Sequence, residues 1–367
     1  MALHDPGASP DALGGRTVLL AMSGGVDSSV AAVLLLERGA RVLGLTMKNF
    51  CYSRLETGAR SCCSAGHLMD ARRVCERLGI EHHLLDTSAP FERDVMERFA
   101  AEYEAGRTPN PCVDCNQFVR FPQLAARARE LDADCIATGH YARLGRQAGG
   151  QCFVRRAVSA AKDQSYFLHG VPPSCLETCV FPLGDLAKDE VRAAGRRAGL
   201  GVADKPESQE ICFLPDGDRA AWLAERQAAA PGPIVALDGR RLGTHGGIAG
   251  FTVGQRHGLG LGGGRTLYVH HIEAETRTVV VSDAAALWSG GLEADRFSLR
   301  VDPSRDDLEV QVRYRHRPVR LSKLEVEGAR ARLQFAAPQR AVAPGQAAVV
   351  YAGDAVVGGG RILAALP

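Results

Sequence analysis

The sequence carries two groups of residues whose types and spacing suit chemistry. The first is Ser23, Gly24, Gly25, Val26, Asp27, Ser28 and Ser29, set between an apolar run, Thr17 to Met22, and an alanine- and leucine-rich run, Val30 to Leu36. Strand, glycine turn and helix in that order build a cradle for phosphate. The glycines let backbone N–H groups approach an anion, and the helix presents its unpaired amides and positive dipole end to the same point. Ser23, Ser28 and Ser29 add hydroxyl donors. The Gly-Lys-Ser/Thr of the common phosphate loop is absent.

The second group is thiols. Cys112 and Cys115 stand three positions apart in a segment from Gly106 to Asn116, where Pro109 and Pro111 discourage helix before Cys112 and predict a rigid polar turn. Far along the chain, the stretch Glu207 to Phe213 supplies Cys212. Such thiols work by exchange or by ligating a metal, and both need thiolate character. Cys75, Cys135 and Cys152 sit inside helix- or strand-like runs and read as small buried hydrophobes. Cys62 and Cys63, with His67 and Cys75, are poorly spaced for one tetrahedral ion and read as structural.

The elements that must position these groups alternate over roughly the first 215 residues. Thr17–Met22, Arg41–Met47, His82–Leu85 and Cys135–Thr138 read as strands. Ser28–Arg38, Ala65–Leu78, Phe91–Ala105, Phe121–Leu131 and Lys188–Ala198 read as helices. This predicts an α/β fold, a doubly wound parallel sheet that binds ligands beyond the carboxyl ends of its strands. After about residue 230, Gly, Pro and short alternating apolar runs take over: Pro233–Ala236, Leu267–Ile272 and Thr278–Ser282. Then Phe297–Val301, Glu309–Tyr314, Lys323–Glu327, Ala331–Phe335, Ala347–Tyr351 and Ala355–Val357 follow at regular spacing. A small β-rich central domain and a C-terminal antiparallel β-barrel are expected. The expected divisions are a mobile extension over 1–14, a catalytic domain over 15–218, a central domain over 219–290 and a barrel over 291–367.

Composition bounds the rest. A 46% hydrophobic and 23% charged chain of 367 residues is that of a soluble multidomain protein. No apolar stretch is long enough to span a bilayer and no signal peptide opens the chain, so a cytoplasmic location is expected. A net charge of +2 argues neither for nor against nucleic acid, so any basic patch is local. Eleven cysteines in such a protein are not a disulfide framework. The clearest basic signal is Arg313, Arg315 and Arg317 with Tyr314 and His316 between them. On a strand, period 2 would put the arginines on one face, matching phosphates, and the rings on the other.

The loop at Ser23–Ser28 resembles that of the ATP pyrophosphatases, a Rossmann-like superfamily that splits ATP into AMP and pyrophosphate to adenylate an oxygen. With the stretches beginning at Met22, Leu45, Ala101, Ile136, Lys162, Gln209, Gly254, Val312 and Pro344, the chain resembles the bacterial tRNA-specific 2-thiouridylases from residue 22 to 349. The resemblance implies a sulfurtransferase that adenylates the uracil 2-oxygen of the wobble uridine at position 34 of tRNA. Persulfide sulfur then replaces that oxygen, with release of AMP and pyrophosphate.

The resemblance also implies site residues. Ala21, Met22, Ser23, Gly24, Gly25, Val26, Asp27 and Ser28 would hold the ATP phosphates, with Met47 and Gly139 near the adenosine and Mg²⁺ near Asp27. Cys212 would carry the persulfide and Cys115 would attack it, leaving a transient Cys115–Cys212 disulfide. Asn110, Pro111, Cys112, His140, Lys162, Asp163, Gln164, Arg313, Tyr314 and Gln346 would face tRNA. A sulfur-relay protein or cysteine desulfurase would supply the sulfur. Two positions depart from the family: Ala21 replaces a common glycine, and Cys112 replaces an aspartate that is a candidate acid/base, leaving only Asp114 nearby. With Cys112, Cys115 and Cys212, three thiolates could instead hold a [4Fe–4S] cluster. The residues alone also admit a small-molecule-adenylating synthetase or amidotransferase, or a non-catalytic metal- and RNA-binding protein.

Overall fold

The computed structural model describes residues 13–50, 65–147, 149–206, 211–214, 218–226, 230–262, 266–303 and 307–367. Cys62, Cys63, Glu207 to Glu210 and most of the expected extension lie outside the described residues. Within that extension Leu13 is buried against the core.

The chain divides into two compact units. The first takes residues 1–95, 112–217 and 354–356. Its strands are β1 (Thr17–Ala21), β2 (Arg41–Lys48), β3 (Glu81–Asp86), β4 (Cys135–Thr138), the hairpin β5 (Ala142–Arg146) and β6 (Cys152–Arg156), and β7 (Cys179–Val180). Five of them form a parallel sheet in the order β3-β2-β1-β4-β7. Val18, Leu19 and Leu20 of β1 are fully buried, as both faces of a parallel strand covered by helices require. The chain runs from β1 outward to β2 and β3, then returns to lay β4 on the other side of β1. That reversal opens a crevice at the carboxyl ends of β1 and β4.

Helices α1 (Val26–Glu37), α2 (Ala65–Leu78) and α3 (Ser88–Phe91) follow the first three strands. α3 continues through a π turn, Glu92–Met96, into α4 (Glu97–Glu104), so the single helix expected over Phe91–Ala105 starts earlier and is broken by an i→i+5 turn. α5 (Pro111–Asp114), a second π segment (Cys115–Arg120) and α6 (Phe121–Glu130) are continuous. The turn expected around Cys112 and Cys115 is therefore the start of a long helix. Pro111 suits the first helical position, where its missing N–H costs nothing. α7 (Pro173–Leu176) and α8 (Lys188–Arg197) complete the unit, while α4 counts with the second unit.

The second unit takes residues 96–111, 218–353 and 357–367. After α9 (Arg219–Ala224), strands β8 (Gly232–Ala236), β9 (Arg241–His245), β10 (Tyr268–Glu273) and β11 (Thr278–Ser282) form a sheet ordered β10-β11-β8-β9. Its core is Ile234, Val269, Val279 and Val281. Strands β12 (Trp288–Leu299), β13 (Leu308–Gln311), β14 (Val319–Glu327), β15 (Arg330–Arg340), β16 (Ala347–Ala352) and β17 (Ala355–Leu366) run antiparallel. β12 pairs with both β15 and β17, which closes a six-stranded barrel. Closure removes the unpaired strand edges that an open sheet would expose. The first residues of β17 count with the first unit, where Ala355 pairs with Arg155 and the Asp354 carboxylate accepts from Arg143 and Arg155.

The basic run corrects one expectation. β13 ends at Gln311, and residues 312–318 are the turn into β14, which starts opposite with Val310 paired to Val319. Arg315 adopts a left-handed backbone with φ 61° and His316 N donates to Arg313 O, a reversal no strand accommodates. Pro318, with no N–H for a ladder, ends the turn. Arg313, Arg315 and Arg317 consequently surround a turn tip and do not share a strand face.

Candidate functional site

The phosphate cradle occupies the crevice. Ala21 at the end of β1 lies opposite Leu45 of β2 and Thr138 of β4, so Met22 and Gly139, which follow β1 and β4, and Met47 near the end of β2 lie at one end of the sheet. Met22 N donates to Leu45 O at 2.8 Å, and Thr46 Oγ1 donates to Met22 O at 2.9 Å, fixing the loop's departure. Gly24 has φ +72°, and a Cβ there would fall 2.0 Å from His67 O; one at Gly139 would fall 2.8 Å from Ser28 N. Gly25 caps α1 with no side-chain hydrogen bond, so the first-turn amides of Val26, Asp27 and Ser28 have no intrahelical acceptor and suit an anion. Ser23 N donates to Ser28 Oγ and the two hydroxyls lie 3.2 Å apart. Ser29 differs from expectation: it is fully buried and donates to Gly25 O at 2.8 Å, bracing the loop from behind.

Asp27 is held by two residues that local sequence patterns did not reveal. Tyr141 Oη donates to its Oδ1 at 2.8 Å and Lys188 Nζ stands 2.7 Å from the same oxygen. A second lysine, Lys205, donates to Asp70 at 2.6 Å and reaches Gly24 O at 3.4 Å. Two ammonium groups thus flank the loop. The one sequence signal for Lys188 is its place at the first position of α8, ahead of Asp189 and Glu190, where a cation opposes the helix dipole.

The thiol-bearing helix is tied to the same sheet edge. Cys115 is buried, Cys112 is exposed and Cys212 is partly buried; all eight described cysteines are thiols. Asn116, beside Cys115, donates to Phe167 O and accepts from Arg120 Nη1 at 3.0 Å. Arg120 Nη1 also lies 3.3 Å from His140 Nε2, just past β4. The arginine can only donate, so His140 Nε2 accepts and its Nδ1–H donates to Thr138 Oγ1 at 2.8 Å. His140 stacks on Phe121 and meets the edge of Phe181. Burial, with the Arg120 charge second, pushes its pKa down to about 3, so the ring is neutral and serves as a shaped hydrogen-bonding surface. On the other side of the thiols, α3 packs against the Cys115–Arg120 segment, and Phe91 of α3 meets Phe213 edge-on at 5.8 Å. Phe213 follows Cys212, so α3 connects the segments of both thiols.

Cys75, Cys135 and Cys152 are the buried hydrophobes expected. Burial raises all three thiols, that of Cys75 to about 11. Among the described residues no three His, Cys, Asp or Glu side chains converge as a group able to hold a metal.

Of the residues expected to face RNA, Asp163, Gln164 and Gln346 are engaged in internal hydrogen bonds. Asp163 turns inward: its carboxylate accepts from Ala157 N, Ser165 N, Ser165 Oγ and Arg156. Gln164 Oε1 accepts from Tyr141 N at 2.9 Å, joining this loop to the residue after His140. Lys162 stands at the turn they brace. In the second unit Gln346 is buried and donates to Thr108 O at 2.7 Å, two residues before Asn110 and Pro111. Arg315 lies over the Tyr314 ring at 5.3 Å, and Arg313 Nη2 is a buried donor with no hydrogen-bond acceptor among the described residues. An orphaned guanidinium nitrogen beside an exposed cation and a ring is a feature an RNA phosphate would complete.

A parallel sheet carrying a glycine–serine phosphate loop at its switch point, with thiols at the same edge, defines a nucleotide-activating α/β domain of the ATP-pyrophosphatase class. Family comparison matches residues 16–216 to a tRNA methyl transferase HUP domain, 220–283 to a tRNA methyl transferase PRC-barrel domain and 289–362 to an aminomethyltransferase β-barrel domain. The chain is 45% identical over 364 residues to a tRNA-specific 2-thiouridylase of Rhizorhabdus wittichii, covering 98% of this chain and 95% of the relative. It is 47% identical over 352 residues to that of Acidothermus cellulolyticus, covering 94% and 97%. The chain belongs to the tRNA-specific 2-thiouridylase family. Among solved structures, a 4-thiouridine synthetase–RNA complex with bound ATP is 16% identical with a TM-score of 0.36, covering 57% of this chain and 50% of that one. No helix among the described residues is long and apolar enough to cross a membrane.

Proposed function

We propose that this protein is an ATP-dependent sulfurtransferase that replaces the 2-oxygen of the wobble uridine of tRNA with sulfur, acting in the cytoplasm. The observation that carries this reading is the Asn116–Arg120–His140 chain, which ties the Cys115 helix to the sheet edge bearing the phosphate loop, in a chain of this family. Activation and sulfur transfer then share one pocket.

ATP binds with its phosphates on Ser23, Ser28 and the first-turn amides of α1. Asp27, with the phosphates, would hold Mg²⁺, which neutralises charge on the pyrophosphate; one carboxylate plus phosphates suits that ion. A uridine turned out of the anticodon stack presents its 2-oxygen to the α-phosphorus. That oxygen displaces pyrophosphate, while the loop amides and Lys188 offset the charge that develops. The carbon now bears AMP as leaving group. A persulfide on Cys212, delivered by a sulfur-relay protein or a cysteine desulfurase, attacks it. Cys115 attacks Cys212 Sγ, which frees the sulfur onto the base and leaves a Cys115–Cys212 disulfide. Lys162 and the Arg313 turn contact backbone phosphates; Asp163, Gln164 and Gln346 hold the loops that do so.

The test is tRNA-dependent release of AMP and pyrophosphate. Unmodified tRNA with uridine at position 34 stimulates release, and the same tRNA with cytidine there does not. Equal release with both would favour a small-molecule substrate.

A further inference from the structure

Cys112 and Cys115 lie three positions apart at the start of one continuous helix, the first exposed and the second buried. We infer that Cys112 is a resolving thiol that takes over the Cys115–Cys212 disulfide and carries it to solvent. The inference rests on the sulfur-transfer reading above.

The argument begins with access. Cys115 is 7% exposed, and Cys212 is partly buried beside Phe213, which packs on Phe91. A disulfide between them is shielded from an external dithiol, because exchange requires an in-line approach to one sulfur. Cys112 is exposed and lies one turn before Cys115. Residues three apart on a helix share a face with Cβ atoms about 5–6 Å apart. A disulfide needs about 3.5–4.5 Å, a closure the first turn can make because helix ends fray and tighten readily. The first-turn amides of the helix that runs from Pro111 to Glu130 also favour a thiolate at Cys112 over one deeper in the helix.

The exchange balances. The Cys112 thiol loses its proton to solvent, and its sulfur forms a bond to Cys115 Sγ. The Cys115–Cys212 bond breaks with its electron pair on Cys212 Sγ, which takes up a proton. No net oxidation occurs, and Cys212 is ready for the next sulfur. A cellular dithiol then attacks the exposed Cys112 side, is itself oxidised to a disulfide, and restores Cys112 and Cys115.

The experiment is one turnover of the full chain with unmodified tRNA, ATP, Mg²⁺ and a persulfide donor without added reductant. The protein is trapped with N-ethylmaleimide and its tryptic peptides are mapped. Peptide 108–120, which holds both Cys112 and Cys115, is expected to have lost its two thiol hydrogens and to take no maleimide, while Cys212 is alkylated. Cys112→Ser is expected to accumulate the Cys115–Cys212 cross-link, and its steady-state rate with limiting dithiol to fall by about tenfold or more. A cross-link from Cys115 to Cys212 that persists in the parent protein, with no rate loss in Cys112→Ser, overturns the inference. Thiolated tRNA with neither disulfide present overturns the underlying Cys115–Cys212 reading instead.

Discussion

Lys188 Nζ and Asp27 Oδ1 lie 2.7 Å apart although 161 residues separate them in sequence. The carboxylate sits favourably in the first turn of α1, whereas the ammonium sits at the first position of α8, against that helix's dipole. The pair therefore answers a need of the phosphate loop and not of α8. With Tyr141 it fixes the carboxylate and a cation beside the loop proposed to hold the ATP phosphates.

Lys188→Ala removes the cation and leaves a partly buried carboxylate with only the tyrosine. The expected outcome is a loss of about a hundredfold in kcat/KM for ATP, of the size seen when one transition-state donor is removed. Lys188→Arg should recover part of it. Pyrophosphate release kinetics measure both, and a Lys188→Ala enzyme within twofold of the parent would remove the lysine from the reaction.

His140 has a distinct pH signature. Its pKa is about 3 in the folded protein, against about 6.5 for an unperturbed histidine. The unfolded chain therefore binds more protons between these values, so the contribution of the neutral ring is fully present above about pH 6.5 and is lost as pH falls toward 3. His140→Gln keeps an acceptor and does not titrate, so its melting temperature should fall less than the parent's between pH 7 and pH 5. His82, His245 and His270, also lowered by burial, act in both proteins. Identical pH dependence in the two would mean that His140 titrates normally.

Much of this site is readable as local pattern. The loop from Ser23 to Ser28 and the three thiols stand out because each is a short motif. Tyr141, Lys188 and Arg120 do not, because their roles arise from crossovers that bring distant helices to one strand edge. The Arg313 run alternates like a strand, and only Pro318 and the need to reverse direction reveal a turn. Cys112 and Cys115 read as a loop because Pro109 and Pro111 break helices, yet a proline at the first position starts one.

Arg313 and Lys162 should behave as phosphate contacts. Arg313→Ala is expected to weaken tRNA binding and lower the slope of log K against log salt by about 1. Titrations at several salt concentrations measure it, and an unaltered slope removes Arg313 from the RNA surface.

Asp163 should behave as a brace. Its four hydrogen bonds are internal, so Asp163→Ala is expected to cost stability, about 2–3 kcal/mol for a buried, multiply bonded carboxylate. Lys162→Ala should instead weaken tRNA binding with little change in stability. Denaturant unfolding alongside tRNA titration separates them. A reversed pattern would make Asp163 the RNA contact.

The most direct measurement is nucleoside mass spectrometry of unmodified tRNA incubated with the protein, ATP, Mg²⁺ and a persulfide donor, with AMP quantified in the same reaction. The expected result is 2-thiouridine at the wobble position with one AMP per sulfur, abolished by Cys212→Ser. AMP formation without thiolated uridine, or undiminished thiolation by Cys212→Ser, would contradict it.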